Sequence, residues 1–583
     1  MKPIIEILEE KVAAVMSELA GEKVPAIVKT SQNVKFGDYQ ANGVMSLAKK
    51  LRKNPRELAS EVVAKLDLAD MCAAPEIAGP GFINLRLKND WLTARLVDAL
   101  GDDARLGVDP VEQVGITVID YSAPNVAKQM HVGHLRSTII GDTISRVLEF
   151  YIGDPDKVIR QNHIGDWGLQ MGMVVWAMQN VMEVDASEMT LADLEDVYRK
   201  SNILMKDDPG HGDIFRNSTL KLQNHEEPEI SLWQNARKVS LDACIEIYKQ
   251  LNVLLDNDNV RGESFYTDKL PGVIESLETA GMLKESDGAK VVFMDGYKKP
   301  DGEPLPMIVQ KSDGAFLYAT TDLAAIRFRL DQLKADRVVY VTDARQKLHF
   351  DMVFNCAKQA GWVQGDARLD HVPFGTVLGN DNKPFKTRSG ENIKLKELLD
   401  EAQIRAMAVV EAKSPDLSDQ QKQEIAAAVG IGAVKYADLS NNLTSDYVFD
   451  WDKMLAMEGN TAPYMQYAYA RVQSIFRKGE IDTEQLIADA GNLQLNEEME
   501  IALAKQLLRF GEIIASVASE LRPHILTGYL FDLAQAFSSF YSNCPVLKAD
   551  TSVKESRLML CYQTAKTIKK GLGLLGIDTI EQM

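Results

Sequence analysis

The chain has 583 residues, of which 45% are hydrophobic and 26% charged, and a formal net charge of −19 at pH 7. This length is too great for one hydrophobic core and predicts roughly three to four domains of a soluble globular protein. The acidic charge excludes a protein coated in basic surface, so any contact with nucleic acid must come from local basic patches.

The cysteines and the first residues bear on the cellular compartment. The five cysteines are scattered and include no C-x-x-C pair, a pattern typical of buried thiols in a reducing compartment. Met1 to Glu10 carries acidic residues where a signal peptide needs an uninterrupted apolar region. No run approaches the ~20 apolar residues of a membrane span. We therefore expect a cytoplasmic protein that does not contact membranes.

Residues 1 to about 108 are predicted to form a small α/β unit. Ile4 to Leu19 has the apolar spacing of an amphipathic helix, and Ala41 to Lys50 has a second helical pattern. Phe36-Gly-Asp-Tyr-Gln40 is predicted to form the turn before that second helix. Ala78 to Leu87 combines a glycine-bracketed turn with a half-buried strand. Nothing in this part of the chain has the pattern of a catalytic site.

Residues 116 to 150 pass from a strand to a helix. Ile116 to Asp120 reads as a buried strand, and the apolar residues of Leu135 to Phe150 recur at helical spacing. Between them stands Tyr121-Ser-Ala-Pro-Asn-Val-Ala-Lys-Gln-Met-His-Val-Gly-His134. A turn from strand to helix favours anions, because free backbone N–H groups and the helix dipole both point there. The pattern indicates a nucleotide site.

Three residues of this motif have the chemistry for such a site. His131 and His134 can donate hydrogen bonds to phosphate oxygens as charge develops on them. Gly133 has no Cβ, so a ring or a phosphate can approach the backbone. The histidines could instead be half of a metal site, although no Cys or His pair at ligand spacing completes it. They could also be ordinary residues at a helix start.

The flanking residues extend the match to about twenty positions. They are Ser122-x-Pro-Asn-x-x-Lys128 before the histidines and Leu135-Arg-Ser-Thr-Ile-Ile-Gly141 after them. The whole stretch resembles the first sequence motif of the class I aminoacyl-tRNA synthetases, and most closely that of the arginyl-tRNA synthetases. The resemblance implies ATP-dependent activation of L-arginine to arginyl-adenylate and its transfer to the 3′ end of tRNA(Arg), with Mg²⁺ accompanying ATP. It also implies that the motif residues bind ATP, namely Lys128, His131, Gly133 and His134.

From about residue 109 the pattern alternates between strand and helix. Val158 to Gly165 follows the first helix, and Val338 to Val341 is an all-apolar strand typical of a parallel sheet. Ligands of such sheets gather beyond the carboxyl ends of the strands. The motif should therefore converge on one crevice with Asn162 to Gly168 and Thr342 to His349. Residues 180 to 260 interrupt the alternation and are predicted to form a mostly helical insertion.

Lys386-Thr-Arg-Ser-Gly390 occupies the place of the second class I motif, Lys-Met-Ser-Lys-Ser. A cationic loop over a triphosphate would neutralise the charge that builds on the leaving pyrophosphate, although the loop alone reads equally as a solvated basic turn. The second lysine of the motif is absent. Arginyl-tRNA synthetases commonly lack it and carry a lysine just before the first motif, here Lys128. The resemblance implies an ATP contact for Ser389 and catalytic roles for His131, His134, Lys128, Lys386 and Arg388.

From about residue 415 the chain is predicted to be helical. Ser418-Asp-Gln-Gln421 has the pattern of a capping box that opens a helix through Leu439. Asn460-Thr-Ala-Pro463 supplies a cap and an early proline for a further helix. This end resembles the anticodon-binding domain of several class I synthetases, just as the first domain is similar to the additional N-terminal domain of the arginine-specific ones. The resemblance implies tRNA contacts at Phe36, Tyr39, Gln40, Tyr464, Arg471 and Arg557. Phe36 and Tyr39 could instead be core residues.

An arginine pocket needs carboxylates and acceptors that face a planar guanidinium group with five donors. The crevice offers residues of this kind, each of which is singly as readily a helix cap or a surface residue. The resemblance implies substrate contacts at all of them: Asp120, Asn125, Tyr318, Asp322 and Gln346. Tyr318 and Asp322 would share a face if their segment is helical.

These patterns together predict a multidomain protein with an α/β Rossmann-type parallel-sheet catalytic domain. We expect an N-terminal tRNA-contacting domain at 1–108, the catalytic domain at 109–455 and an all-α anticodon-binding bundle at 456–583, in a monomer. The alternatives are a nucleotidylyltransferase with the same H-x-G-H fold, a class I synthetase for another amino acid, and an RNA-binding relative without catalysis. The chain is longer than most nucleotidylyltransferases, and intact motif residues weigh against a loss of catalysis.

Overall fold

The computed structural model describes residues 1–31, 33–111, 114–182, 184–185, 188–208, 210–385 and 393–582. Lys386, Arg388 and Ser389 lie outside the described residues. In the part of the chain that is described, no helix is long and apolar enough to cross a membrane.

The N-terminal part packs helices on a small antiparallel sheet. Its elements are α1 (Ile4–Ala20), β1 (Val28–Thr30), β2 (Tyr39–Ala41), α2 (Val44–Leu51), α3 (Pro55–Lys65), β3 (Glu76–Ala78), β4 (Phe82–Leu85) and α4 (Asn89–Leu100). The strands pair in the order β1–β2–β4–β3. The predicted first helix is confirmed, since its apolar face is buried. The predicted turn at 36–40 is partly wrong, because Tyr39 pairs with Thr30 on one side and Leu85 on the other and so belongs to a strand.

The middle of the chain builds a parallel sheet. Its first elements are β5 (Ile116–Asp120), α5 (Val132–Ile152), β6 (Val158–Gln161) and α6 (Leu169–Asn180), and the insertion follows with α7 (Leu191–Asp207), α8 (His211–Gln223) and α9 (Glu229–Gln250). The predicted helical character of the insertion is confirmed. Its helices pack on α6 through a separate apolar cluster that includes Met171, Leu194 and Leu222.

The chain then returns to the sheet. The elements are α10 (Leu270–Thr279), β7 (Leu283–Ser286), β8 (Ala289–Lys298), β9 (Pro304–Gln310), α11 (Tyr318–Arg327), β10 (Ala335–Asp343), α12 (Lys347–Gln359), β11 (Arg368–Phe374) and β12 (Val377–Leu378). The parallel strands lie in the order β11–β10–β5–β6. The antiparallel strands β7, β8 and β9 form a sheet of their own, which the sequence patterns did not indicate.

The remaining elements are mostly helical: α13 (Leu395–Lys413), α14 (Asp419–Leu439), β13 (Tyr447–Val448), α15 (Trp451–Met454), α16 (Ala462–Gly479), α17 (Thr483–Ala488), α18 (Glu498–Leu508), α19 (Phe510–Glu520), α20 (His524–Asn543) and α21 (Thr551–Leu574). The capping box is confirmed, because Ser418 and Gln421 bond reciprocally at the start of α14. Thr461 caps α16 as its side chain accepts from Tyr464 N. One continuous apolar core runs from α1 through α5 to α21.

Polar contacts join the N-terminal part to the helical end. Lys505 Nζ lies 2.7 Å from Asp38 Oδ1, and the Tyr39 hydroxyl donates to Glu512 Oε1 at 2.6 Å. Burial, together with the negative charge of Glu512, raises the pKa of the Tyr39 hydroxyl. With 2% of its surface exposed, Tyr39 is a core residue. The predicted tRNA contact at Tyr39 is therefore wrong, because its side chain is buried against Glu512 and does not reach the surface.

Candidate active site

Three loops meet beyond the carboxyl ends of β5, β6 and β10, as the sequence predicted. The loop after β5 is bonded to the loop after β6, because Gly165 N donates to Pro124 O at 3.1 Å and Val126 N to Gly165 O at 3.0 Å. The Asn162 side chain accepts from Ala123 N at 3.0 Å. These bonds fix the loop after β5 on a rigid frame.

That loop has an unusual backbone. Ser122, Ala123 and Ala127 all have positive φ, a conformation that costs energy for residues with a side chain and persists only where the surroundings enforce it. Here the surroundings are polar: the Ser122 hydroxyl lies 2.7 Å from the Tyr248 hydroxyl and accepts from Thr138 at 2.9 Å. The insertion therefore helps to shape the loop, since Tyr248 lies on α9.

The two histidines cap α5 reciprocally. His131 Nδ1 accepts from Gly133 N at 3.0 Å, and His134 Nδ1 accepts from His131 N at 3.1 Å. A backbone N–H is always a donor, so both Nδ1 atoms are unprotonated and each neutral ring carries its proton on Nε2. A Cβ on Gly133 would lie 2.7 Å from His131 Cε1. The glycine is therefore required by the histidine ring itself, in addition to any ligand.

Both rings resist protonation. Burial, with the positive charges of Lys128 and Arg345, lowers the pKa of His131. Burial, with the charge of His131, lowers the pKa of His134 to about 3. The rings are thus neutral donors at neutral pH. Among the described residues, no group of three or more His, Cys, Asp or Glu side chains is arranged to hold a metal ion.

The histidines open onto a cleft of about 610 Å³. Its walls come from the motif, the insertion helix α7 and the start of α13, with the lining Asn125, Lys128, Gln129, His131, His134, Ala192, Glu195, Asp196, Arg199 and Lys394. Val132 N donates to Ile393 O at 3.1 Å and Leu395 N to Met130 O at 2.9 Å. The described chain therefore resumes, after residue 392, directly beside the motif.

The predicted arginine contacts occupy different surroundings. Asp120 is buried and its Oδ2 pairs with Arg329 Nη2 at 2.7 Å. Asp322 Oδ2 lies 2.6 Å from His349 Nε2. Burial opposes the charged form of His349, and the Asp322 carboxylate more than offsets this and raises its pKa. The side chains of Asn125 and Gln346 are exposed. The two acids thus have protein partners that the sequence patterns did not reveal.

Tyr318 and Asp322 do share a face, because both lie on α11, and 66% of Tyr318 is exposed. Near them is Glu263, which no sequence pattern indicated. Burial, with the charges of Asp166 and Asp322, raises the pKa of Glu263 to about 8. Its charge in turn raises the pKa of Tyr318, after the larger effect of burial. A carboxyl whose pKa is raised beside another acid is suited to bind a cationic group.

The residues predicted to contact tRNA differ in how exposed their side chains are. Phe36 is 46% exposed, whereas the half-buried Gln40 donates to Asn84 at 2.8 Å. The Arg471 guanidinium lies 4.5 Å from the Tyr541 ring centroid, and Tyr464 is half-buried. Arg557 is a correction: it is buried, and its Nε donates to Glu500 at 2.7 Å. A buried guanidinium with an internal carboxylate does not meet RNA phosphates.

A parallel sheet with an H-x-G-H turn beyond an inner strand, followed by a helical bundle, defines a class I aminoacyl-tRNA synthetase. The chain matches the family descriptions "tRNA synthetases class I (R), catalytic domain" at residues 95–451, "DALR anticodon binding domain" at 465–583 and "Arginyl tRNA synthetase N terminal domain" at 4–87. Membership of this class implies the use of ATP.

Relatives and solved structures specify the amino acid. The arginine–tRNA ligase of Hahella chejuensis is 52% identical over 582 residues, which are 99% of each chain. The arginyl-tRNA synthetases of Plasmodium falciparum (TM-score 0.85, 30% identity) and Thermus thermophilus (TM-score 0.82, 26% identity) are similar in structure over 100% of both chains. The chain belongs to the arginyl-tRNA synthetase family, whose members are ligases that form aminoacyl-tRNA.

Proposed function

We propose that the residues around the cleft divide the two steps of arginine ligation to tRNA(Arg) between them. In the first step the arginine carboxylate attacks the α-phosphate of ATP, which gives arginyl-adenylate and releases pyrophosphate. In the second the terminal ribose hydroxyl of tRNA attacks the adenylate carbonyl and AMP leaves. The proposal is carried by the reciprocal capping of His131 and His134, which leaves two neutral Nε2–H donors at the nucleotide cleft. Such donors stabilise charge that develops on phosphate oxygens.

In the ATP half of the site, His131 and His134 contact the phosphates, Gly133 lies beneath the adenine, and Lys128 supplies positive charge. Lys386, Arg388 and Ser389 are proposed to act on the pyrophosphate. Their nearness in sequence to Ile393 and Leu395 supports this, because those two residues are hydrogen-bonded to the motif. We propose that Mg²⁺ accompanies ATP and neutralises phosphate charge. Among the described residues no group of three or more His, Cys, Asp or Glu side chains is arranged to hold the ion, so its ligands would come mainly from the phosphates and water.

In the arginine half, we propose that the guanidinium group of the substrate pairs with carboxylates of the site. Asn125 and Gln346 would contact the other polar end of the substrate, away from the guanidinium group. Asp322 and Tyr318 support this assignment because they share a face of α11. Glu263 adds a carboxyl whose pKa is about 8. We propose that Asp120, which also pairs with Arg329, orients the substrate. A guanidinium cation placed between Glu263 and Asp322 would relieve their repulsion.

For tRNA, we propose contacts at Phe36, Gln40, Tyr464 and Arg471, in the N-terminal domain (1–108) and the anticodon-binding domain (456–583) on either side of the catalytic domain (109–455). We also propose that the chain acts as a monomer. The described cysteines are all buried and unpaired, as suits the reducing cytoplasm.

The test is charging of total tRNA with single radiolabelled amino acids, ATP and Mg²⁺. Labelling by arginine alone is expected, and no labelling with any amino acid refutes the activity. K128A should lower arginine-dependent exchange of pyrophosphate into ATP by about a hundredfold while tRNA binding without ATP is retained. K238A is the matched control, because Lys238 is an exposed lysine of the insertion that pairs with Asp242 at 2.8 Å.

A further inference from the structure

The insertion helix α7 forms one wall of the nucleotide cleft. Glu195 Oε2 accepts from Gln129 Nε2 at 2.9 Å and lies 3.4 Å from Lys394 Nζ. Both partners belong to the catalytic fold, one in the motif and one at the start of α13. Glu195 therefore seats α7 on the site.

Tyr198 follows Glu195 by three residues and so lies on the same face of the helix. The Lys128 ammonium nitrogen is 4.5 Å from the centroid of the Tyr198 ring. Tyr198 is half-buried against the apolar cluster of the insertion. The ring thus packs on the insertion and also contacts Lys128.

The ring is a different kind of partner from a carboxylate. Lys128 makes no ion pair within the described ranges, and its ammonium instead rests on the ring face. The ring quadrupole attracts the ammonium without cancelling its charge. A carboxylate would have to be displaced by the phosphates, whereas a ring leaves the charge available to them.

The ammonium is also close to both histidines, since its charge helps to lower their pKa values. We propose that Tyr198 is a positioning residue that holds the Lys128 ammonium in the nucleotide cleft, un-neutralised and ready for the triphosphate. The inference rests on the proposed function, in which Lys128 contacts ATP. The insertion then contributes to the chemistry, because it carries the ring that positions the phosphate-binding lysine.

The experiment compares Y198F, which keeps the ring, with Y198L, which keeps only apolar volume. Arginine-dependent exchange of pyrophosphate into ATP is measured with tRNA present. Y198L should raise KM for ATP about fivefold, the factor equivalent to one partly exposed cation–π contact, and leave KM for arginine within about twofold. Y198F should match the unaltered chain. I203A is the control on the same helix, at a position 51% exposed.

A double-mutant cycle with K128A separates this inference from the proposed function. In the K128A background, Y198L should have no further effect on KM for ATP, because the ring then has no ammonium group to position. A persisting effect, or a Y198F as impaired as Y198L, overturns the positioning role. If K128A alone leaves KM for ATP unchanged, the phosphate contact itself is wrong and the inference falls with it. Y198M is the second ring-free variant if Y198L does not fold.

Discussion

Two substitutions of His134 separate its role at the helix start from its role toward the ligand. Its Nδ1 accepts the backbone N–H of His131 at 3.1 Å, and its Nε2 remains for the cleft. In H134N the amide oxygen stands near the place of Nδ1, so the cap acceptor is retained and the donor is lost. In H134Q the amide nitrogen stands near the place of Nε2, so the donor is retained and the cap acceptor is lost.

The two substitutions should affect different quantities, the reaction rate in H134N and the stability in H134Q. Removing one donor aimed at developing charge costs about 10²- to 10³-fold in rate, whereas removing a capping acceptor costs about 1 kcal/mol of stability. H134N should therefore slow adenylate formation by at least about a hundredfold and leave the free energy of unfolding unchanged. H134Q should lose about 1 kcal/mol of stability and slow the reaction about tenfold or less, because a donor still reaches the phosphates.

The assays are single-turnover adenylate formation and urea unfolding of the same preparations. Because the pKa of His134 is about 3, the ring is neutral throughout pH 6 to 8, and the rate difference between H134N and the unaltered chain should not change over that range. If H134Q is as slow as H134N while H134N is fully stable, the Nε2 donor is not what the reaction needs. If H134N loses the stability instead, the assignment of Nδ1 to the cap is refuted.

Three further predictions concern buried polar groups. The pKa of Glu263 is raised to about 8, so arginine must displace a proton from this carboxyl when it binds at lower pH. KM for arginine should therefore fall by up to about tenfold for each unit that the pH rises, and level off above pH 8. E263Q should abolish this pH dependence, and an unchanged dependence would exclude Glu263 as an arginine contact. Burial lowers the pKa of Lys435 from its ordinary 10.5 to about 8, so the unfolded chain binds more protons between these values and stability rises with pH. Urea unfolding at pH 7.5 and 9.5 should show a rise of about 2 kcal/mol from this group that K435M lacks. Y39F should lose about 1–2 kcal/mol of stability, because a buried bond to Glu512 is removed, with tRNA affinity unchanged; weaker tRNA binding at full stability would mean that Tyr39 contacts RNA.

The local patterns predicted those features that a short stretch of sequence determines by itself. The strand at Ile116–Asp120 is an apolar run that any parallel sheet would bury. The helix start at Ser418 depends on two side chains three residues apart, and it is found where the capping pattern places it. The crevice followed from topology, because loops after neighbouring parallel strands must meet at one edge. Each of these inferences needed contacts only between residues near in sequence or in strand order.

The errors share the opposite property. The family resemblance implies a tRNA contact at Tyr39, but the residue is buried and Glu512, 473 positions away, accepts its hydroxyl. The resemblance also implies a tRNA contact at Arg557, but Glu500 holds this residue inside the bundle. Glu263 was missed because its raised pKa comes from burial and from Asp166 and Asp322, and none of these can be read from the residues beside it. Burial by distant parts of the chain decided all three.

The signature helix α5 explains why the active site depends on such distant packing. Its buried residues lie on every side and include polar ones, which a buried helix can hold only with partners. Arg136 pairs with Asp438 of α14 at 3.0 Å, and Ser137 donates to Val341 of β10 at 2.7 Å. Asp142 accepts from the backbone N–H of Leu254, in the part of the insertion that follows α9, at 2.9 Å. Each bond requires a different element to be docked correctly, and leaving any one unmade costs about 1–3 kcal/mol. The helix that carries His134 is therefore held in place only when the helical end, the sheet and the insertion are all assembled around it.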